Sequence, residues 1–180
     1  HSFRIAERGS LLFFLHDDKS RQQPALMVRD GDRGEPRTLF EPDAIGGPGR
    51  HAIYQQAVTP SPDGAYVALA FAEAGGDAKT IALVETASGR VVDGHPPKTI
   101  LPTIAWAPDG SGFYYNRNQG PFVDAPDRMT CAEGVYFHRV GTTFDDDHLI
   151  AAKGWDEAHV SLPAVSGDGR FLFVGDLSVS

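Results

Sequence analysis

Thr59-Pro60-Ser61-Pro62-Asp63-Gly64-Ala65-Tyr66-Val67-Ala68-Leu69-Ala70 is a stretch that joins a tight turn to a strand. Pro62 presets φ, Asp63 can hydrogen-bond its own backbone, and Gly64 tolerates a positive φ, which together predict a turn. The aromatic and apolar residues after the turn suit the pleated, packed surface of a strand. This stretch decides the fold because the rest of the chain repeats it.

The same turn-and-strand unit recurs along the chain. A second copy spans Ala105 to Tyr115 and a third spans Pro163 to Val174, while Glu7 to Phe14 is a weaker copy. The copies follow one another at intervals of roughly 50 residues, which is the sequence signature of propeller blades with four strands each. We therefore read the chain as a series of blades.

Strand and turn signals fill the sequence and helical periodicity is nearly absent, so we predict an all-β protein. The candidate strands group into antiparallel four-stranded blades at about residues 1–45, 50–95 and 100–153, with Arg90 to Val92 as the last strand of the second blade. A half blade follows at 160–180. Because closed propellers have about 4 to 8 blades, these three and a half blades predict a partial β-propeller over 1–180, with open blade edges that invite self-association.

Composition limits the partners of the chain. Its 180 residues are 41% hydrophobic and 22% charged, which is enough for a sizeable core. With a formal net charge of -8 it has little means to neutralise phosphates, so we expect no nucleic acid partner. No apolar run approaches the roughly 18 residues of a membrane span, so we expect no membrane partner.

The chain opens with His1-Ser2 and has no initial Met, so we expect a cut or processed piece of a longer protein. Cys131 is the only cysteine, which rules out an internal disulfide and a cysteine-based zinc site. A lone thiol favours a reducing compartment, so we expect a cytoplasmic protein, with the periplasm and secretion as alternatives.

Motifs that carry chemistry are nearly absent from the sequence. We find no G-x-S-x-G nucleophile elbow, no Walker loop and no H-E-x-x-H motif. Asp145-Asp146-Asp147 lacks the alternation of an EF-hand loop, so we predict a solvated turn there. The seven histidines are scattered, and each is expected to be a surface or packing residue. We therefore nominate no catalytic residue, no metal ligand and no cofactor.

Four segments, in this order and spacing, resemble the propeller of prolyl oligopeptidases. Thr103 to Asn116 resembles the family's blade that reads apolar-Ala-Trp-x-x-Asp-Gly before an aromatic strand. Gly134 to Thr142 resembles its tyrosine-rich strand ending in His-x-x-Gly-Thr, and Asp145 to Ile150 resembles the acidic turn and apolar strand that follow. Gly9 to Phe14, taken with Ala25 to Asp30 and Arg37 to Pro42, resembles the family's opening blade.

The resemblance implies a serine peptidase that cuts short peptides after proline. In that family an α/β-hydrolase domain carries the catalytic triad, and a seven-bladed propeller covers it and screens out large folded substrates. This chain would then be a non-catalytic gating segment, with the hydrolase domain of the same parent chain and a short peptide as its partners. By the same resemblance, Phe71 and Cys131 lie near blade rims and contribute apolar wall to the substrate cavity.

Two other functions stay open on the residues alone. A stand-alone propeller scaffold would hold a protein or peptide on its rim, with acidic turns such as Asp145 to Asp147 as the recognition surface. A metal or small-molecule site in the propeller channel would depend on the scattered histidines and aspartates. A serine–histidine pair in contact within the chain would argue against the gating function and for local chemistry.

Overall fold

A computed structural model describes residues 1–73, 76–92, 97–118, 133–152 and 159–178. These residues form strands in three sheets, together with short 3-10 turns at Pro42–Ala44 and Phe144–Asp146. In chain order the strands are β1 (Ser2–Arg8), β2 (Leu11–His16), β3 (Ala25–Asp30), β4 (Arg37–Phe40), β5 (His51–Pro60), β6 (Tyr66–Glu73), β7 (Lys79–Glu85), β8 (Lys98–Thr99), β9 (Ile104–Trp106), β10 (Gly112–Asn118), β11 (Glu133–Arg139), β12 (His148–Ala151), β13 (His159–Val165) and β14 (Leu172–Ser178). The all-β prediction is confirmed.

The residues group into two compact units. Unit 1 contains His1–Gly75 and Ala82–Val92, and unit 2 contains Gly76–Ile81 and Asp93–Ser180. No helix in the described part of the chain has the length and hydropathy needed to cross a membrane.

The first sheet is an antiparallel meander in the order β1-β2-β3-β4. The second sheet has the order β5-β6-β7-β8. The expected last strand lies against one end of β7: Val91 bridges Val84, the Val92 N–H donates to the Leu83 carbonyl at 2.8 Å, and the Arg90 carbonyl accepts from the Glu85 N–H at 2.9 Å. The other end of β7 pairs with β8, Lys79 opposite Thr99. Two short segments therefore share the partner position that the sequence assigned to Arg90 to Val92.

The third sheet has the order β14-β13-β11-β10-β9, with β12 also paired to β11. β10 and β11 pair over their full length, from Gly112 opposite Arg139 to Asn118 opposite Glu133. β13 and β14 form an antiparallel pair that joins this sheet at Glu133, which lies opposite Val160. The blade limits at about residues 45, 95 and 153 stay a prediction.

An apolar core holds unit 1 together, and it draws on strands of both the first and the second sheet. Alternate side chains of each strand point inward, as the two-residue period of a strand requires. The buried members are Phe13, Leu15, Leu26, Val28, Leu39, Phe40, Val58, Val67, Leu69, Ala82 and Val84. In unit 2 the buried side chains include Phe113, Val135 and Phe144, and Trp106 packs on Phe113 with ring centroids 5.0 Å apart.

The turn that opens the repeat has the predicted geometry. Gly64 has φ 74° and its N–H donates to the Ser61 carbonyl at 2.9 Å. The Ser61 hydroxyl donates to Asp63 at 2.6 Å and accepts from the Tyr66 N–H at 3.0 Å. Two hydrogen bonds to the Asp63 carboxylate lower its pKa below the ordinary value. The bond from the Ser61 hydroxyl has the largest effect, and the bond from the Ala65 N–H comes second.

The third copy repeats both contacts of the serine hydroxyl, and the second copy lacks both. The Ser166 hydroxyl donates to Asp168 at 2.7 Å and accepts from the Phe171 N–H at 3.0 Å. Ala107 occupies the equivalent position of the second copy and has no hydroxyl. The second copy keeps the bond from the backbone N–H two residues after the aspartate, from Ser111 to Asp109 at 3.0 Å, which the other two copies also have.

Replacing the serine of the first turn should cost stability. Ser61→Ala removes two hydrogen bonds from a buried side chain, so we expect a loss of about 1–2 kcal/mol in the free energy of unfolding. The pKa of Asp63 should rise toward its ordinary value. Because that pKa is lowered in the folded state, its contribution to stability is lost as pH falls below about 4, and Ser61→Ala should weaken this acid dependence.

Urea unfolding and NMR titration of Asp63 measure both effects. Ser166→Ala is the matched control at an exposed site and should lose less stability. An unchanged titration of Asp63 in Ser61→Ala would contradict the assignment of the hydroxyl as the group that supports this carboxylate.

Candidate functional site

Phe71 lies in β6 opposite Ile53, at the end of the strand remote from the Pro-Asp-Gly turn. Its half-buried ring is 5.5 Å from the ring of Phe40 and 5.7 Å from that of His51, measured between centroids. Phe71 therefore belongs to an aromatic cluster that packs against the core of unit 1. Its assignment to a substrate cavity stays a prediction, and Cys131 lies outside the described residues.

Surface pockets of about 310 and 340 Å³ open on unit 1. The first lies beside the Pro-Asp-Gly turn and includes Arg37, Tyr66 and Glu85. The second includes Phe3, Leu15 and Gln55. Both have the size of a small ligand site. Neither is lined by Phe71.

One serine–histidine contact is present on β1 and β2. The Ser2 hydroxyl lies 2.9 Å from Nδ1 of His16, and the two residues are paired across the strands at an exposed position. A nucleophilic triad needs an acid that orients the histidine and donors for an oxyanion. Within the described residues no carboxylate hydrogen-bonds the His16 ring. The serine–histidine contact that was expected to argue against the gating function is therefore present. It is an exposed cross-strand hydrogen bond without an orienting acid among the described residues, so it provides no activated nucleophile.

The structure buries a carboxylate that the sequence placed in a solvated turn. Asp145 and Asp146 are exposed, but the Asp147 side chain is only 1% exposed. The Tyr115 hydroxyl donates to Oδ2 of Asp147 at 2.6 Å, and Nδ1 of His138 lies 2.8 Å from Oδ1. The prediction of a solvated turn is therefore wrong for Asp147, because partners on two other strands compensate its burial.

Strand register brings these partners together. Tyr115 on β10 lies opposite Tyr136 on β11, and His138 lies two residues further along β11 on the same face. Phe144 covers the group, with its ring 4.3 Å from that of His138 between centroids. We call Tyr115, His138 and Asp147 the polar clasp.

The electrostatics of the clasp follow from burial. Burial first, and then the negative charge of Asp147, raise the pKa of Tyr115 well above its ordinary value. The Arg117 guanidinium lies 3.9 Å from the centre of the Tyr136 ring and 3.4 Å from the Tyr115 hydroxyl. Burial lowers the pKa of Arg117, but Tyr115 and Tyr136 outweigh it and leave a net rise.

A second buried carboxylate, Glu133, lies at the start of β11. Its Oε1 accepts from the Thr99 hydroxyl at 3.0 Å and from the Ile100 N–H at 2.6 Å, and its Oε2 accepts from the Asn116 amide. Asn116 also donates to the Leu101 carbonyl at 2.8 Å. The side chains of Glu133 and Asn116 thus form hydrogen bonds with the backbone of Ile100 and Leu101, in the segment between β8 and β9 that belongs to no strand.

These buried groups are structural. His138 is 0% exposed and Asp147 is 1% exposed, so a substrate has no access to this pair. In the described ranges no three His, Cys, Asp or Glu side chains are grouped as metal ligands. The burial of these two carboxylates could not be recognised from the sequence, since neither lies in a motif together with its partners.

Tyr115→Phe tests the clasp by alkaline unfolding. A tyrosine whose pKa is raised in the folded state stabilises that state at pH values below its unfolded-state pKa of about 10. This contribution to stability is lost as the pH rises further. The variant should be less stable than the wild type by about 1–2 kcal/mol at pH 7. The difference should shrink above about pH 10, since phenylalanine cannot ionise.

Urea unfolding between pH 7 and 11 measures this convergence. Tyr114→Phe, on the opposite face of β10, is the matched control and should keep the alkaline slope of the wild type. Parallel pH curves for Tyr115→Phe and the wild type would mean that Tyr115 does not titrate with unfolding.

Two four-stranded antiparallel sheets and a third, six-stranded sheet, with repeated Pro-Asp-Gly-type turns between paired strands, are typical of a segment of a β-propeller. A sequence model of the family described as "Prolyl oligopeptidase, N-terminal beta-propeller domain" matches residues 4–179. The chain belongs to this family, as the resemblance in the sequence predicted.

Curated relatives carry prolyl oligopeptidase names. Prolyl oligopeptidase A of Galerina marginata is 28% identical over 89% of this chain and 23% of its own length. The dual function macrocyclase-peptidase POPB of the same fungus is 26% identical over 85% of this chain and 22% of its own length. A prolyl endopeptidase of Elizabethkingia miricola is 23% identical over 93% of this chain. The chain thus spans about a quarter of the length of these relatives.

Solved structures have the same fold. A chain from a structural and mechanistic study of two prolyl endopeptidases matches 98% of this chain with a TM-score of 0.84, at 23% identity and over 26% of its own length. Prolyl oligopeptidase B of Galerina marginata, bound to a 35mer hydrolysis and macrocyclization substrate, matches 98% of this chain with a TM-score of 0.72, at 21% identity and over 27% of its own length. The β-propeller prediction is confirmed.

Proposed function

We propose that this chain is the substrate-selecting segment of a propeller that covers the α/β-hydrolase domain of a serine peptidase, which cleaves short peptides after proline. Its partners are that hydrolase domain, on the same parent polypeptide, and the peptide substrate. The observation that carries the proposal is the family match over residues 4–179.

The chemistry of the described residues supports this division of labour. The buried His138–Asp147 pair is closed to substrate, and the exposed Ser2–His16 contact has no orienting acid among the described residues. A rigid cover that excludes water and bulky competitors contributes by shape and needs no reactive group of its own. The bond-breaking residues are then expected on the hydrolase domain.

Reconstitution tests the proposal directly. The chain alone should not cleave a short proline-containing peptide. Joined to the rest of its parent propeller and hydrolase domain, it should give cleavage after proline in the short peptide, while a folded protein with an exposed proline loop stays intact. Binding of the hydrolase part without cleavage would refute the proposal, and recovery of a macromolecular partner without a peptidase domain would favour the scaffold function.

Phe71 offers a sharper test in the reconstituted enzyme. Phe71→Leu keeps an apolar side chain against Phe40, so the fold should persist. If Phe71 lines the substrate cavity, we expect KM for the short peptide to change by about three- to tenfold, with kcat nearly unchanged. Phe171→Leu, at a phenylalanine that is 56% exposed, is the matched control. Equal kinetics for the two variants would remove Phe71 from the cavity wall.

A further inference from the structure

Asp-Gly steps occur at several turns of the chain, and at such steps an aspartate can rearrange without an enzyme. Glycine has no side chain to shield its backbone nitrogen or to restrict its backbone angles, so this nitrogen can reach the carboxyl group of the preceding aspartate. The structure describes the steps Asp30-Gly31, Asp63-Gly64, Asp109-Gly110 and Asp168-Gly169. A further step, Asp93-Gly94, lies outside the described residues.

The four described steps are alike in their backbone and in their access to water. Each aspartate is exposed, and each glycine has a positive φ between 58° and 74°. Each glycine N–H donates to a backbone carbonyl, at 2.6 to 2.9 Å. Neither solvent access nor the glycine conformation therefore distinguishes one step from another.

The carboxylates distinguish them. At three steps the carboxylate accepts a hydrogen bond from the N–H two residues further on: Ala65 to Asp63 at 3.0 Å, Ser111 to Asp109 at 3.0 Å and Arg170 to Asp168 at 3.2 Å. Serine hydroxyls add a bond to the first and the last of these. Within the described residues no hydrogen bond or ion pair reaches the Asp30 side chain, and the adjacent Arg29 lies 3.7 Å from Oδ1 of Asp32 instead.

These hydrogen bonds oppose rearrangement in two ways. The reactive form is the neutral carboxyl group, because its hydroxyl can leave as water. Bonds to the charged form lower the pKa of Asp63, Asp109 and Asp168, in each case chiefly through a serine of the same turn, so the neutral form is scarce. The carboxylate must also leave its donors before it can approach the glycine nitrogen.

We propose that Asp30-Gly31 is a site of spontaneous covalent modification, at which Asp30 converts to isoaspartate in the folded chain ahead of the three aspartates that are held in their turns. The Gly31 nitrogen attacks Cγ of the neutral carboxyl group, a C–N bond forms, and the amide proton and the carboxyl hydroxyl leave as water. Water then opens this succinimide ring at the main-chain carbonyl of Asp30. The backbone afterwards runs through Cβ and Cγ, the mass of the chain is unchanged, and nothing is oxidised or reduced.

The rearrangement would act on the end of the β2–β3 pair. Asp30 lies opposite Leu11, and the Gly31 N–H donates to the Ser10 carbonyl at 2.6 Å. The inserted methylene would displace Gly31 and break this bond. We therefore expect hydrogen exchange at Gly31 to accelerate by about tenfold or more in the rearranged chain, since the end of the ladder then opens locally.

Long incubation of the folded chain at mildly acidic pH, in water enriched in the heavy oxygen isotope, tests the proposal. Peptide mapping by mass spectrometry should find isoaspartate at Asp30 about tenfold or more ahead of Asp63, a factor expected when charge-assisted hydrogen bonds must first break. Each rearranged residue should carry one heavy oxygen atom, because water opens the ring. A methyltransferase that recognises isoaspartate should methylate the incubated chain and leave the fresh chain unmodified.

Three comparisons show whether the fold decides the order. In concentrated urea the Asp-Gly steps should rearrange at similar rates, since the turn contacts are lost. Ser61→Ala removes one bond to Asp63 and should accelerate rearrangement there in the folded chain, while Asp109 in the same sample keeps its wild-type rate. Asp30→Glu should abolish the signal at this step, because the longer side chain closes its ring far more slowly.

Several outcomes would overturn the proposal. Equal rates at the four described steps of the folded chain, or a slower rate at Asp30 than at any of the other three, would show that the carboxylate contacts do not set the order. Isoaspartate at Asp30 in urea but none in the folded chain would show that the fold protects this step. Isoaspartate without heavy oxygen would exclude the succinimide route.

Discussion

Glu133→Ala should lower the free energy of unfolding by about 3 kcal/mol or more, because several buried hydrogen-bond donors lose their acceptor at once. The Glu133 side chain is fully buried and accepts hydrogen bonds from Thr99, Ile100 and Asn116. Alanine would leave these donors in the interior without their acceptor, and each such donor costs about 1–3 kcal/mol. Urea unfolding followed by circular dichroism measures the loss.

Two comparisons separate the network from general effects of substitution. Glu133→Gln keeps the size and one carbonyl acceptor, so we expect it to lose about half as much stability as Glu133→Ala. Glu35→Ala, at an exposed glutamate of the turn between β3 and β4, should change stability by no more than about 0.5 kcal/mol. A loss in Glu133→Ala no larger than that of Glu35→Ala would refute the structural role of this carboxylate.

A double-mutant cycle would show how Glu133 acts. Asn116 links Glu133 to the segment before β9, because its amide donates to the Leu101 carbonyl and its carbonyl accepts from the Thr103 N–H at 2.8 Å. Glu133→Ala and Asn116→Ala should therefore be non-additive by about 0.5–3 kcal/mol, as residues of one hydrogen-bond network are. Strict additivity would mean that the two side chains stabilise the segment independently.

The repeated turns and most of the strands could be predicted from sequence because their signals are local. Pro62, Asp63 and Gly64 determine the turn by their own φ preferences and by bonds within a few residues. The strand expected at Arg90 to Val92 shows the limit of this approach. Its residues have strand propensity and do lie against one end of β7, but pairing gives the other end of β7 to β8, which no local signal indicated.

The buried carboxylates could not be predicted because their partners are distant in sequence. Tyr115 is 32 residues from Asp147, and Thr99 is 34 residues from Glu133. In the sequence, Asp147 belongs to a run of three aspartates, which indicates a solvated turn. Only the register of β10 and β11 places the Tyr115 hydroxyl and the His138 imidazole against it. Trp106 is buried without such partners, because a large apolar side chain packs in the core without a particular polar contact.

Gly112→Ala should be the second severe substitution, with an expected loss of about 3 kcal/mol or more from overpacking. A Cβ atom at Gly112 would overlap the His138 carbonyl oxygen and the Phe137 ring of the neighbouring strand. The carbonyl belongs to the β10–β11 ladder and cannot move away without breaking strand pairing. The substitution should therefore disturb the register between β10 and β11, which also positions His138 in the polar clasp. We expect the His138 ring resonances to shift in NMR spectra of the variant.

Gly167→Ala is the matched control, because it adds the same methyl group to a turn of the same repeat. A Cβ atom there meets no atom within 4 Å, and φ at Gly167 is not positive. Proline occupies the equivalent position in the other two copies, as Pro62 and Pro108, so the backbone conformation accepts a side chain. We expect Gly167→Ala to be neutral or to gain about 0.4–1 kcal/mol through a less flexible unfolded chain. Equal urea midpoints for the two variants would contradict the close approach of β10 to β11, since only that contact distinguishes them.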